Sequence, residues 1–126
     1  MAPLAHGIDL VDVERVARLL DEHGDRALDR VFTVHEQACA GAGPRRLEHL
    51  AARFAAKEAA LKALGTGWAH GIAWTDVEVR REDSGKPTIV LHGPAKALAD
   101  SMGLRTWAVS LSHTQGLAVA SVVAMG

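Results

Sequence analysis

Glu58 stands where the hydrophobic spacing of its own helix calls for an apolar residue. From Leu47 to Leu64, apolar side chains recur at Leu47, Leu50, Phe54, Leu61 and Leu64. A step of three or four residues from Phe54 toward Leu61 lands on Lys57 or Glu58, so one of these charged residues must border the core. A carboxylate beside an apolar face costs roughly several kcal/mol of desolvation unless a cation or donors compensate, which suits a bound metal or a paired charge. Lys62 stands one turn on. The competing reading is a solvated Glu58–Lys62 ion pair, which stabilises a helix by about 0.2–0.5 kcal/mol. Asp9 is a second acid in an apolar setting, flanked by Ile8, Leu10 and Val11. Two carboxylates on different elements could share one cation. Magnesium takes oxygen ligands, keeps several waters and is commonly held by one or two carboxylates with substrate phosphates. Lys62 would then supply positive charge for a phosphate. The alternative for Asp9 is to cap a helix starting near Asp12.

These side chains need a scaffold, and the chain reads as a strand over Gly7–Val11 running into a helix capped by Asp12. Val13, Val16, Leu19 and Leu20 form one face of that helix. Thr33 and Glu36 have capping-box spacing after Phe32, so a short helix begins there and ends at Gly41 to Pro44. The long helix is predicted over 45–64, with Gly65 placed to take the left-handed conformation that closes it. Alternation over 76–82, turn chemistry over 83–87 and a return over 88–91 read as a hairpin. A helix over about 94–102 follows, then a strand through Trp107, Val109 and Leu111, and a last strand over 119–124. The expected fold class is α+β: an antiparallel sheet packed against one long helix, in a single domain spanning 1–126.

Composition excludes several function classes. With 126 residues, 48% hydrophobic, the chain fits one domain with a normal core. A net charge of −1 gives no global field for nucleic acid or an anionic membrane. No apolar run approaches the 18 or so residues of a membrane span. Cys39 is the single cysteine, which excludes an internal disulfide, and residues 1–6 lack the pattern of a signal peptide. A reducing cytoplasm is the expected compartment.

Five segments carry a resemblance: GIDLVDVERV near the start, RFAAKEAALKALGTG over 53–67, WTDVEV over 74–79, Gly85-Lys86-Pro87, and SLSHT over 110–114. In this order and at these distances they closely resemble the holo-acyl-carrier-protein synthases, the small 4'-phosphopantetheinyl transferases, over nearly the whole chain. The resemblance implies transfer of the 4'-phosphopantetheine arm of coenzyme A to a serine of an apo acyl carrier protein, releasing adenosine 3',5'-bisphosphate. It implies that Asp9 and Glu58 bind magnesium and that Lys62 stabilises the departing phosphate, and it favours these roles over a surface ion pair. Fatty-acid and polyketide carriers stay open as substrates, as do a metal-bound water and a carboxylate as the base.

Coenzyme A also needs cationic and flat partners. Arg45, Arg46, Arg53, Lys86 and His113 are the candidates for its phosphates, with the backbone at Lys86-Pro87 bordering the base. Positive charge in the first turn of a helix is mildly unfavourable, which makes a ligand role for Arg45 and Arg46 more attractive. Gly65 follows a helix C-terminus, where the dipole repels anions, so capping and close approach of the pantetheine arm are its expected roles. The resemblance further implies that Arg15 and Arg18, with Arg26 and Arg30 extending the patch, grip the acidic recognition helix of the carrier. An ordinary solvated face is the alternative, given Glu14, Asp21 and Glu22 nearby. A homotrimer with sites at subunit interfaces is implied as well. The chain departs from the pattern in having no tyrosine and Gly116-Leu117-Ala118 in its last hairpin. A non-catalytic binding module of the same fold is the competing class. The presence of both acids argues against it, because a pure binder gains nothing from their desolvation.

Overall fold

In the computed structural model, which describes residues 2–126, strand β1 (Leu4–Asp12) leads directly into helix α1 (Val13–Val31). The strand is longer than its apolar run predicts because each of its residues pairs antiparallel with β5 (Leu117–Met125). Asp12 occupies the N-cap position, but its side chain makes no capping bond; Val13 N–H donates instead to Gly116 O at 2.8 Å. Gly24, at φ 61° and ψ −146°, breaks α1 into two helical segments. A side chain there would be strained, and glycine is not.

Thr33 and Glu36 form the capping box their spacing predicts: Glu36 N–H donates to Thr33 Oγ1 at 3.1 Å, and Thr33 N–H to Glu36 Oε1 at 2.8 Å. Helix α2 (Val34–Ala40) stops at Gly41. Helix α3 (Arg46–Leu64) ends on Gly65 in the left-handed region, φ 79°, whose N–H donates to Leu61 O and Lys62 O. A 3-10 turn (Trp74–Asp76) precedes strands β2 (Val77–Arg81) and β3 (Pro87–Leu91). Helix α4 (Gly93–Ser101) then leads to β4 (Thr106–Thr114) and β5.

The strands form two antiparallel sheets, β1-β5-β4 and β2-β3, which corrects the expectation of a single one. Helix α4 separates β3 from β4 in the chain, and these strands touch without sharing a ladder.

Helix α3 also departs from a simple amphipathic pattern. Every residue from Leu50 to Leu64 is buried except Glu58 and Lys62. The alanines between Ala51 and Ala63 make this possible, because they let β1, β5, β2, α1 and α2 approach the helix from several sides. The closest approach is at Gly7, where an added Cβ would lie 1.8 Å from the carbonyl oxygen of Ala59. On β5, Ala118, Ala120, Val122 and Ala124 complete the packing. Among the described residues no helix is long and apolar enough to cross a membrane.

Candidate active site

The opening that Glu58 and Lys62 make in a buried helix faces β1. Lys62 Nζ donates to Asp9 Oδ1 at 2.9 Å and to Ile8 O at 3.0 Å. The lysine therefore turns across to the strand acid, and Asp9 spends its carboxylate on Lys62 in place of a helix cap. Glu58 is half-buried. Desolvation pushes its carboxyl above the usual carboxylate range and the charge of Asp9 pushes it further, while Arg15 and Lys62 oppose the shift. Two acids within electrostatic reach of each other and incompletely compensated form a site that a hard cation would complete. Among the described residues no cluster of three or more His, Cys, Asp or Glu is placed to hold a metal. Asp9 and Glu58 are the acidic donors on offer there, and an ion held by one or two carboxylates completes its shell with waters and substrate oxygens.

The charge truly inserted into the core is Lys57, not Glu58. Its side chain is fully buried and lies 2.7 Å from Glu36 Oε1, itself fully buried. Spacing pointed to this pair of positions without choosing between them, and the Thr33/Glu36 spacing read only as a cap.

One helical turn before Glu58, a groove of about 840 Å³ runs between α1 and the Phe54 face of α3. Arg15, Arg18, Arg26 and Arg30 line it over an apolar floor that includes Leu19, Phe54 and Trp74, with Glu22 also contributing. The Arg15 guanidinium lies 5.2 Å from the centre of the Phe54 ring. Phe54 stacks on Trp74 at 4.8 Å, and Trp74 meets Trp68 at 3.8 Å. Arg15 thus belongs to both regions, since its charge also reaches Glu58. Sequence reasoning found the arginines; of the two tryptophans, Trp74 entered only as part of the WTDVEV motif and Trp68 not at all.

The remaining predicted residues are spread over several elements. Arg45 is exposed at the N-cap of α3, and Arg46 Nη1 donates to Gly41 O at 2.6 Å, tying down the end of α2. His113 Nδ1 lies 3.1 Å from Glu48 Oε2, and the ring sits edge-on to His49. Glu48 and Glu58 are about 15 Å apart along the helix at 1.5 Å per residue. Lys86 and Pro87 stand at the β2–β3 turn with Lys86 exposed, and Gly65 is exposed at its cap. Arg53 is a correction. Expected to meet a phosphate, it is 1% exposed, with Nη1 donating to His49 O at 3.0 Å and Nε left without a partner. Burial, then the charge of Arg81, pulls its pKa below the ordinary arginine value. The alanine-rich wall of α3 lets neighbouring elements close over it.

A family model described as the 4'-phosphopantetheinyl transferase superfamily matches residues 5–120. The chain belongs to this superfamily. Curated relatives include the holo-acyl-carrier-protein synthase of Geobacter sulfurreducens, 50% identical over 118 residues that cover 93% of each protein. The same enzyme of Solibacter usitatus is 44% identical, with 93% of this chain and 94% of the relative aligned. Among solved structures, the Helicobacter pylori holo-acyl-carrier-protein synthase in complex with coenzyme A superposes with a TM-score of 0.83 at 27% identity. That match covers 94% of this chain and 98% of the other. The α+β architecture with its two antiparallel sheets is thus the architecture of this transferase family.

Proposed function

We propose that the chain transfers the 4'-phosphopantetheine group of coenzyme A to a serine hydroxyl of an apo acyl carrier protein, with magnesium. The observation that carries this reading is the opening at Glu58 and Lys62, on a helix otherwise buried, turned toward Asp9. The serine oxygen bonds to the phosphorus that bears the pantetheine arm. The bond from that phosphorus to the bridging oxygen breaks, adenosine 3',5'-bisphosphate departs, and the serine proton passes to a nearby base.

Asp9 and Glu58 would hold the metal, which when bound neutralises charge on the pyrophosphate. The Lys62 ammonium, already directed at this point by Asp9 and the Ile8 carbonyl, meets negative charge that builds on the leaving phosphate. The arginine-lined groove receives an acidic helix of the carrier: Arg15, Arg18, Arg26 and Arg30 meet its carboxylates, and the Phe54–Trp74 floor meets its apolar side.

Arg45, Arg46, Lys86, Pro87 and His113 serve the nucleotide half of coenzyme A. Arg45 and Arg46 at the start of α3, and His113 through its contact with Glu48, lie well away from Glu58 along the helix, which favours a ligand lying across two copies of the chain in a homotrimer. The sheet face turned away from α3 supports such assembly, with Leu4 at 73%, Ile8 at 54% and Leu10 at 63% exposure. A cytoplasmic location goes with this reading.

Intact-mass analysis of an apo acyl carrier protein incubated with the chain and coenzyme A tests it. A gain of one phosphopantetheinyl group with magnesium, and none with chelator, is expected. Asp9→Asn and Glu58→Gln should abolish the gain in folded protein. No gain across several carriers would overturn the reading, and turnover retained by either folded variant would overturn the metal assignment.

A further inference from the structure

Lys57 is the one fully buried lysine beside the proposed site, and nothing in the transfer reaction uses it. Its Nζ lies 2.7 Å from Glu36 Oε1 and donates to Trp74 O at 3.0 Å and to Val77 O at 2.6 Å. Three acceptors consume its three hydrogens. Glu36 is equally committed: Oε1 also accepts from Thr33 N–H, and Oε2 accepts from Val79 N–H at 2.9 Å. One buried pair thereby ties the start of α2, the middle of α3 and the start of β2 together.

Such a pair is a poor device for stability alone, because well-packed apolar residues in its place are often neutral or stabilising. What an ammonium with three fixed acceptors supplies is direction. On α3 the large buried apolar side chains are Leu50, Phe54, Leu61 and Leu64, and between Phe54 and Leu61 only alanines accompany the Lys57 anchor in the core. Gly7 against Ala59 sets how close β1 comes.

We propose that Lys57 is a positioning residue: held by Glu36 and the carbonyls of Trp74 and Val77, it sets the rotation of α3 that aims Glu58 and Lys62 at Asp9. Adjacent helical residues are about 100° apart around the axis, so anchoring residue 57 fixes the heading of residue 58. For a side-chain radius of about 5–6 Å, a roll of about 20° moves the Glu58 carboxylate on the order of 2 Å. A misplacement of about 1 Å is enough to cost on the order of a hundredfold in rate.

The inference rests on the transferase reading, and its test separates the two. Glu36→Gln with Lys57→Met removes both charges, and glutamine still suits the capping box. Three quantities are read: the melting temperature, Mn2+ affinity by electron paramagnetic resonance with coenzyme A present, and kcat with KM for the carrier. The double variant is expected to fold and to keep the carrier KM, with Mn2+ affinity about tenfold weaker and kcat about a hundredfold lower. Wild-type Mn2+ affinity and kcat in the folded double variant would show that the pair is only structural. Glu36→Asp keeps both charges but draws the carboxylate back by one methylene. If the double variant does not fold, this substitution decides: a matching loss of Mn2+ affinity supports the proposal, and unchanged affinity and kcat overturn it. No transfer by the wild-type chain in the same assay would sink the transferase reading, while the Mn2+ measurements would still judge the positioning role.

Discussion

Two glutamates on neighbouring elements are driven in opposite directions, and the cause is the company each keeps. Glu58 is desolvated next to the like charge of Asp9, which raises its pKa. Glu78 is 4% exposed, and burial alone would raise it as well. Hydrogen bonds from Thr33, His92 and Arg80 outweigh that effect and lower it from 4.5 to about 2. Arg80 Nε stands 2.8 Å and His92 Nε2 3.0 Å from the same carboxylate oxygen. Glu78 is thus a satisfied structural acid, whereas Arg15 and Lys62 offset the desolvation of Glu58 only in part. The native state takes up its proton on Glu78 later than the unfolded chain does. The stability it contributes is therefore fully present above pH 4.5 and is lost as the pH falls toward 2. Glu78→Gln should lower the melting temperature at neutral pH and flatten its decline across that window. Wild-type and variant melting curves, followed by circular dichroism, should converge near the acid end.

At the scale of elements, the site depends on how closely β1 crosses α3. The contact of Gly7 with the Ala59 backbone leaves no room for a Cβ. Gly7→Ala should cost about 1–3 kcal/mol in urea unfolding, because backbone must move to admit the methyl group. The same displacement should weaken transfer, since Asp9 lies two residues along the strand. The broken helix α1 is the second decisive element. Its kink at Gly24 lets both segments border the groove, so arginines on either side of the break line it together. Arg18 tests the carrier role more cleanly than Arg15, whose charge also acts on Glu58. Arg18→Glu should raise the carrier KM on the order of tenfold in steady-state kinetics and leave the coenzyme A KM unchanged.

For the whole molecule, the sheet β1-β5-β4 buries one face on α3 and leaves the other unpartnered. Across that outer face Leu4 pairs with Met125, and Leu10 with Val119, around a His6 Nε2 that lies 3.1 Å from Ser121 Oγ. An apolar sheet face of this kind suits contact with further copies. If the proposed homotrimer forms through this face, Val123→Arg on the outer side of the central strand should convert it to monomers. On the proposed arrangement, transfer should be lost with the assembly, because the residues assigned to the nucleotide would no longer meet the acids of a neighbour. Sedimentation velocity on the wild type and the variant checks both the assembly and its dependence on this face.

Local chemistry was enough to place most elements. Caps, turns and alternation depend on nearest neighbours in the chain, so the box at Thr33 and Glu36, the stop at Gly65 and the strands about Asp9 and Val79 were legible directly. Asp9, Glu58 and Lys62 were singled out differently: their spacing left a surface ion pair open, and the resemblance of the surrounding motifs to the family favoured a metal site. Tertiary structure alone decided which charge enters the core, because Lys57 is stabilised by Glu36 and two carbonyls far away in sequence. It also decided that Arg53 lies inside, that Lys62 answers to Asp9 in preference to Glu58, and that Trp68 and Trp74 stack beside Phe54. Each of these outcomes depends on where distant segments pack around an alanine-lined helix. Desolvation and long-range partners act through space, and the order of residues along the chain does not record them.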